Sequence, residues 1–222
     1  AEYVKVNSQN LLLMNDKMSY EEAASVPIVF GTAYRVLMNL AKLTMGEIVL
    51  IMAAGSGVGT AAIQIAKLAG AKVIAAAGND EKLEKAKSIG ADAEVNYYTN
   101  KNFDNEIKEI TKGKGVDIVI EQIGGNIFLK SLSCLKKGGR MVVLGTTAGN
   151  KFEIDMQYVY RNNLSILGSS GTTHKEIRDA FELVKDGKIK PIIDRIFPLK
   201  DASLAHKYLE ERRNFGKIVL KI

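Results

Sequence analysis

The chain reads as an α/β fold built on a doubly wound, six-stranded parallel sheet. Three observations carry that reading. Between residues 47 and 168 short apolar runs alternate with amphipathic helical segments, the runs are rich in Val and Ile, and glycines mark most of the boundaries. Strands that are apolar along their whole length belong to parallel sheets covered on both faces. Connections that contain a helix are long enough for right-handed crossovers.

The first strand is EIVLIMA (47–53), ended by a glycine cluster. A helix follows in VGTAAIQIAKLAG (58–70), with Ile63, Ala66, Lys67 and Gly70 at helical spacing and Gly70 as its stop. KVIAAA (72–77) is the second strand, DEKLEKAKSIG (80–90) the second helix and AEVNY (93–97) a short third strand. FDNEIKEIT (103–111) is helical, and VDIVIEQI (116–123) is a fourth strand that starts after the turn KGKG. IFLKSLSCL (127–135) is a helix ending at a KKGG turn, and RMVVLGT (140–146) and NLSILGS (163–169) are the fifth and sixth strands.

The two ends leave this rhythm. AEYVKV at the start is strand-like, and a loop then leads to SYEEAASVP. After residue 170, Thr173 and Glu176 form a capping box for a helix to about Asp186. PIIDRIFPL, a helix over 201–213 and a closing strand KIVLKI (217–222) complete the chain. A lone opening strand and a lone closing strand need partners that the chain does not obviously supply, so a piece is expected to be missing.

Composition narrows the function classes. At 46% hydrophobic and 25% charged residues the chain is an ordinary globular one. Its apolar stretches are broken well before the about 18 residues of a membrane span, and AEYVKV lacks the pattern of a secretory leader. Cys134 is the single cysteine, which excludes an internal disulfide and fits a reducing, cytoplasmic setting. With only His174 and His206 beside it, no ligand-spaced cluster exists, so metal catalysis from within the chain is not expected. The net charge of +6 alternates with acids, as in EKLEKAK (81–87), which is a solvated face rather than a nucleic-acid surface.

Chemistry enters at the turn between the first strand and the first helix, Ala53-Ala54-Gly55-Ser56-Gly57-Val58-Gly59-Thr60. Small residues there allow a tight turn, close approach of backbone N–H groups to a pyrophosphate and close helix–strand packing. The G-x-G-x-x-G pattern fails in both registers: from Gly55 the sixth position is Thr60, and from Ala54 the pattern reads Ala54, Ser56, Gly59. The other reading of the turn is that its glycines serve packing alone.

The second strand ends Ala75-Ala76-Ala77-Gly78-Asn79, without the acid that would bind an adenosine ribose 2′-hydroxyl and repel a 2′-phosphate. Asp80 and Glu81 fall where a helix N-terminus favours acids. Lys82, one turn into that helix, either meets a phosphate as a point charge or is a solvated surface lysine. The missing acid favours NADP(H) over NAD(H).

In order along the chain, AAGSGVGTAAIQIAKLAGAKVIAAAG, EKLEKAKSIGAD, VNY, GKGVDIVIEQIGG, LKKGGRMVVLG and FGKIVLKI resemble the quinone-oxidoreductase-like branch of the medium-chain dehydrogenase/reductase (zinc alcohol dehydrogenase-like) superfamily. The resemblance implies a Rossmann domain over residues 29–169. Residues 1–28 would be the end of a GroES-like catalytic domain and 170–222 its returning segment, so the chain is expected to be a C-terminal fragment.

Carried over by position, Gly57, Val58 and Gly59, with Gly55 and Ser56 of the same turn, would face the pyrophosphate, and Thr32 would lie near the nicotinamide. Gly78, Asn79, Lys82 and Tyr97 match positions around the adenosine phosphate, with burial as a core aromatic the other reading of Tyr97. Gln122, Ile123 and Gly124, with Leu144, Gly145 and Thr146, would line the nicotinamide at strand carboxyl ends. Gly216 and Lys217 resemble a late segment that closes over the cofactor.

The resemblance implies NADP(H)-dependent hydride transfer to a small-molecule carbonyl, quinone or activated alkene. A zinc-ligand cysteine of zinc-dependent relatives has Pro27 and Ile28 as its nearest counterparts here, so zinc is not expected within this chain. Tyr34, Glu121 and Lys217 are candidates to approach the cleft, but no acid–base pair is evident and no catalytic residue is assigned. Two alternatives stay open: a zinc-type alcohol dehydrogenase with its ligands upstream, and an NADPH-binding structural module without catalysis. A methyltransferase is disfavoured by the FGKIVLKI ending. The apolar sixth strand (163–169) implies a homodimer paired through that sheet edge.

Overall fold

A computed structural model of the chain describes residues 3–222. Its centre is the parallel sheet: β1 (Ile48–Met52), β2 (Lys72–Ala77), β3 (Ala93–Asn96), β4 (Val116–Glu121), β5 (Leu135–Val143) and β6 (Ser165–Gly168). The order is β3-β2-β1-β4-β5-β6, so chain direction across the sheet reverses between β1 and β4. That switch point opens a crevice beyond the strands' carboxyl ends.

Alternation along β1 divides the core. Val49 and Ile51 join Ala75, Ile118 and Ile120 on one face, while Leu50 and Met52 join Ile74, Val119 and Met141 on the other. The first face is covered by α3 (Gly57–Leu68) and α4 (Asp80–Ser88), the second by α5 (Phe103–Ile110) and α6 (Gly125–Ser133). Ala61, Ala62 and Ala66 are fully buried on α3, and their small side chains let the helix lie close to the strands. These elements match the sequence expectation.

The chain outside the sheet departs from it in several places. Ala1 and Glu2 of the strand-like AEYVKV lie outside the described residues, and residues 3–6 form no strand. Tyr3 and Val4 are 93% and 82% exposed, so the alternation there has no core to face and no ladder to join. Helices α1 (Tyr20–Ser25) and α2 (Pro27–Tyr34) follow, with Ser19 and Glu22 making a capping box on α1. A π-helical turn, Arg35–Leu40, extends α2, with Ala41 N–H reaching back to the Val36 carbonyl at 3.0 Å. The expected KKGG turn instead lies inside β5, where the pairing with β4 shifts register between Val116 and Ile118. A short α7 (Met156–Arg161), capped by Asp155, precedes β6.

The closing strand is not alone. β7 (Ile193–Pro198), within PIIDRIFPL, pairs in parallel with β8 (Lys217–Lys221), and α9 (Ala202–Glu210) connects them. Before them comes α8 (His174–Lys185), with the expected Thr173–Glu176 capping box. Glu176 is buried and also accepts from Arg35 at 2.9 Å and Asn39 at 2.7 Å, which fastens α8 to the π-helical turn. Burial pushes its carboxyl up, but the Thr173, Asn39 and Arg35 donors outweigh that and hold it below the usual carboxylate range.

Candidate nucleotide-binding site

The chain leaves β1 through Ala53, whose φ of 49° lies in the left-handed region, and Ser56 N–H closes the turn on the Ala53 carbonyl at 2.9 Å. Ser56 then caps α3, its hydroxyl accepting from Gly59 N–H at 3.0 Å. The amides of Gly57 and Val58, in the first turn of α3, have no acceptor within the helix and are free for an anion. A Cβ on Gly59 would lie 2.6 Å from the carbonyl oxygens of both Ala53 and Ala54, so only glycine lets the helix start this close to the strand end. Two lysine stems lie on the other glycines. A Cβ at Gly55 would meet Lys82 Cδ at 2.8 Å, and one at Gly57 would meet Lys217 Cδ and Val29 Cγ1 at 3.0 Å.

The returning segment crosses this turn. Gly216 N–H donates to the Gly55 carbonyl at 2.9 Å, and Ser56 and Gly216 form a parallel bridge. Gly216 has a φ of 90°, and a Cβ there would sit 2.3 Å from the Ile192 carbonyl oxygen, so the strap requires glycine. A helix N-terminus with two free amides, together with Lys217 over Gly57, fits the diphosphate of a dinucleotide.

At the end of β2, Gly78 faces Tyr97 and Tyr98, and Asn79 caps α4 by accepting from Lys82 N–H at 3.3 Å. Asp80 accepts from Asn96 and Glu81 pairs with Lys85 at 2.6 Å, so both first-turn acids are engaged locally. Lys82 is half-buried and its Nζ donates to the Arg212 carbonyl at 2.6 Å. Burial pushes its pKa down, against the pull of Asp194 and Glu81. Tyr97 packs edge-on to Phe103 at 6.3 Å, and burial pushes its phenol up, opposed by the Arg212 charge.

Arg212 therefore stands by both Lys82 and Tyr97, and it was missed in the sequence. The sequence reads as a helix over 201–213, whereas α9 ends at Glu210, and only the return of the chain brings Arg212 to β2. Its φ of 54° marks the sharp turn that makes this possible.

The expected nicotinamide wall is a pair of zipped loops beyond β4 and β5. Leu144 N–H donates to the Glu121 carbonyl at 2.9 Å and Ala148 N–H to the Ile123 carbonyl at 2.7 Å, while Gly145 lies against the Gln122 carbonyl and Gly124 against Thr146. The Gln122 side chain bridges back to the glycine turn, donating to the Met52 carbonyl at 2.7 Å and to Ser56 Oγ at 3.0 Å. Thr32, half-buried, lies one helical turn along α2 from Val29, which abuts Gly57. Of the three residues considered for the cleft, Lys217 covers Gly57, Tyr34 lies by Asp179 of α8, and Glu121 is buried.

Glu121 Oε1 accepts from Ile123 N–H at 2.6 Å and Gly124 N–H at 2.9 Å, which fixes the loop. Its Oε2 and the Ser131 hydroxyl are both buried, and the two lie close enough for Ser131 to pull the carboxyl pKa down although their geometry falls short of a proper hydrogen bond. Burial raises the carboxyl pKa, opposed by those backbone donors and by Ser131. A raised folded pKa means that folding gains stability from this group as pH falls through that value. Glu121→Gln keeps an acceptor for the loop and gives Ser131 a donor. It is expected to raise stability at pH 7 by about 1 kcal/mol and to flatten that acid-range dependence. Urea titrations at several pH values check this, and a destabilised variant with the wild-type pH profile would contradict it.

Among the described residues no three His, Cys, Asp or Glu side chains gather as a metal would need. Pro27 begins α2 and Ile28 is exposed beside it, and neither side chain carries an atom that ligates zinc. Cys134 is buried and its thiol is pushed up to about 12 by burial, which makes it inert.

The profile of the zinc-binding dehydrogenase family matches residues 57–186. The chain is 32% identical to quinone oxidoreductase-like protein 2 of Bos taurus, over 100% of its own length and 66% of that protein's. Its fold superposes on a crystal structure of an NAD-dependent alcohol dehydrogenase with a TM-score of 0.95 at 41% identity, covering 100% of this chain and 64% of that one. A 2-octenoyl-CoA carboxylase reductase in complex with NADP and 2-octenoyl-CoA gives a TM-score of 0.87 at 28% identity, with coverages of 97% and 52%. The chain thus spans between about half and two thirds of the relatives it matches.

Proposed function

Because the chain belongs to the zinc-binding dehydrogenase family, within the medium-chain dehydrogenase/reductase superfamily, we propose that it is the NADP(H)-binding part of an oxidoreductase. The reaction is hydride transfer between the nicotinamide and a small carbonyl, quinone or activated alkene, without zinc. In this reading residues 1–28 and 170–222 belong to a GroES-like catalytic domain and 29–169 to the nucleotide domain. The observation that carries it is the glycine turn at the switch point, with Lys82, Tyr97 and Arg212 beside an acid-free β2 end.

The bound nicotinamide supplies the hydride chemistry. The chain's own residues do the holding. The Gly57 and Val58 amides and Lys217 would receive the diphosphate, Lys82 and Arg212 would neutralise the 2′-phosphate, and Gln122–Gly124 with Leu144–Thr146 would wall the ring. The octenoyl-CoA-bound relative supports an activated alkene as substrate. A second reading, NAD-dependent alcohol oxidation, is favoured by the name of the 41%-identical structure.

Fluorescence titration with NADPH and NADH, followed by turnover with enoyl-CoA, quinone and alcohol panels, separates the two. NADPH is expected to bind at least tenfold tighter, and tighter NADH binding overturns the cofactor assignment. The β6 edge, with Ser165, Ile166 and Gly168 exposed, is proposed as a homodimer contact. Sedimentation equilibrium is expected to show a dimer, and a monomer at micromolar concentration rejects it.

A further inference from the structure

We propose that Gln122 is a positioning residue that turns the Ser56 hydroxyl into a fixed hydrogen-bond donor for the diphosphate of the bound dinucleotide. The inference rests on the NADP(H) reading above and concerns how the turn receives the anion. Gln122 Nε2 lies 2.7 Å from the Met52 carbonyl oxygen and 3.0 Å from Ser56 Oγ. A backbone carbonyl only accepts, so the atom facing it is the NH2 and the amide orientation is settled. One N–H goes to Met52 and the other to Ser56.

Ser56 Oγ also accepts from Gly59 N–H at 3.0 Å. A hydroxyl has two acceptor sites and one hydrogen, so both of its acceptor sites are filled from within the protein. What remains is the O–H itself, and it meets no acceptor among the described residues. Ser56 is half-exposed at the rim of the turn, immediately before the free amides of Gly57 and Val58. An anion brings only acceptors. A serine already unable to accept further presents its proton without reorganising, which is the condition for strong anion binding by preorganised donors. Without Gln122, the hydroxyl rotates between donor and acceptor states and that preorganisation is lost.

The test uses the full 222-residue chain, NADPH fluorescence titration, and adenosine 2′-monophosphate as a ligand without a diphosphate. Gln122→Met and Ser56→Ala are each expected to weaken NADPH about five- to tenfold. The double variant is expected to lose no more than the larger single loss, because both act through the same preoriented Ser56 donor. Adenosine 2′-monophosphate affinity stays within about twofold, since that ligand never reaches the turn. Gln122→Glu has the same length but accepts the Ser56 proton, and it is expected to weaken NADPH more than Gln122→Met does.

Wild-type NADPH affinity in Gln122→Met, multiplicative losses in the double variant, or parallel loss of adenosine 2′-monophosphate overturns the proposal. If Gln122→Met does not fold, Ser56→Ala decides, and unchanged NADPH affinity there rejects the donor role. A wild-type chain that binds neither NADPH nor NADH rejects the cofactor reading itself, a result distinct from all of these.

Discussion

Gly59→Val abolishes NADPH binding and destabilises the chain by about 3 kcal/mol, at the upper end of the cost of overpacking. The added Cβ alone would stand 2.6 Å from two carbonyl oxygens, those of Ala53 and Ala54. Neither can yield, because they are backbone atoms and Ala54 N–H is held to the Ala76 carbonyl at 2.9 Å across the sheet. The start of α3 must therefore swing away, taking buried Ala61, Ala62 and Ile63 with it and dispersing the first-turn amides. Gly168→Ala is the control, since a Cβ there meets nothing within 4 Å. Urea denaturation and NADPH titration of both variants check the pair. A Gly59→Val chain that melts and binds as wild type would show that the close approach is unnecessary.

Removing the two cations at the ribose end separates the nucleotides. Lys82→Ala and Arg212→Ala each weaken NADPH roughly tenfold, and together about a hundredfold, from the loss of charge-assisted hydrogen bonds. NADH, lacking the 2′-phosphate, changes by less than about threefold, and the NADPH effect shrinks with added salt. Arg212→Gly provides a stability control. Glycine relieves the left-handed φ of 54° while removing the charge, so this variant loses NADPH affinity without losing stability. Parallel loss of both nucleotides in the titrations would assign Lys82 and Arg212 to turn packing instead.

The sheet was legible because β1, β2 and β4 are buried on both faces and are apolar along most of their length, and because glycines stop the helices between them. The segment PIVFGTAYRVLMNL, which forms α2 and the π-helical turn, is apolar nearly all round and shows no period to read. β7 was hidden by Pro191 just before it, by Pro198 at its end and by its charged Asp194 and Arg195, since its partner strand lies beyond α9. At the site, the turn and the absent acid were local properties. Arg212 and the Gln122–Ser56 bridge were not, because each depends on where distant chain returns in space. Glu121 was considered for the cleft, yet its carboxylate turns inward to the amides two and three residues on.

The strap at Gly216 also imposes an order of events during synthesis. All six strands of the sheet are complete at Gly168, but the Gly55 carbonyl waits for an amide 48 residues further along. At ribosomal elongation rates that interval is about 2–10 s, far longer than the collapse of a domain this size. A nascent chain therefore holds a finished sheet with an unfastened turn, and nucleotide capture becomes the last capability that translation confers on this part of the protein.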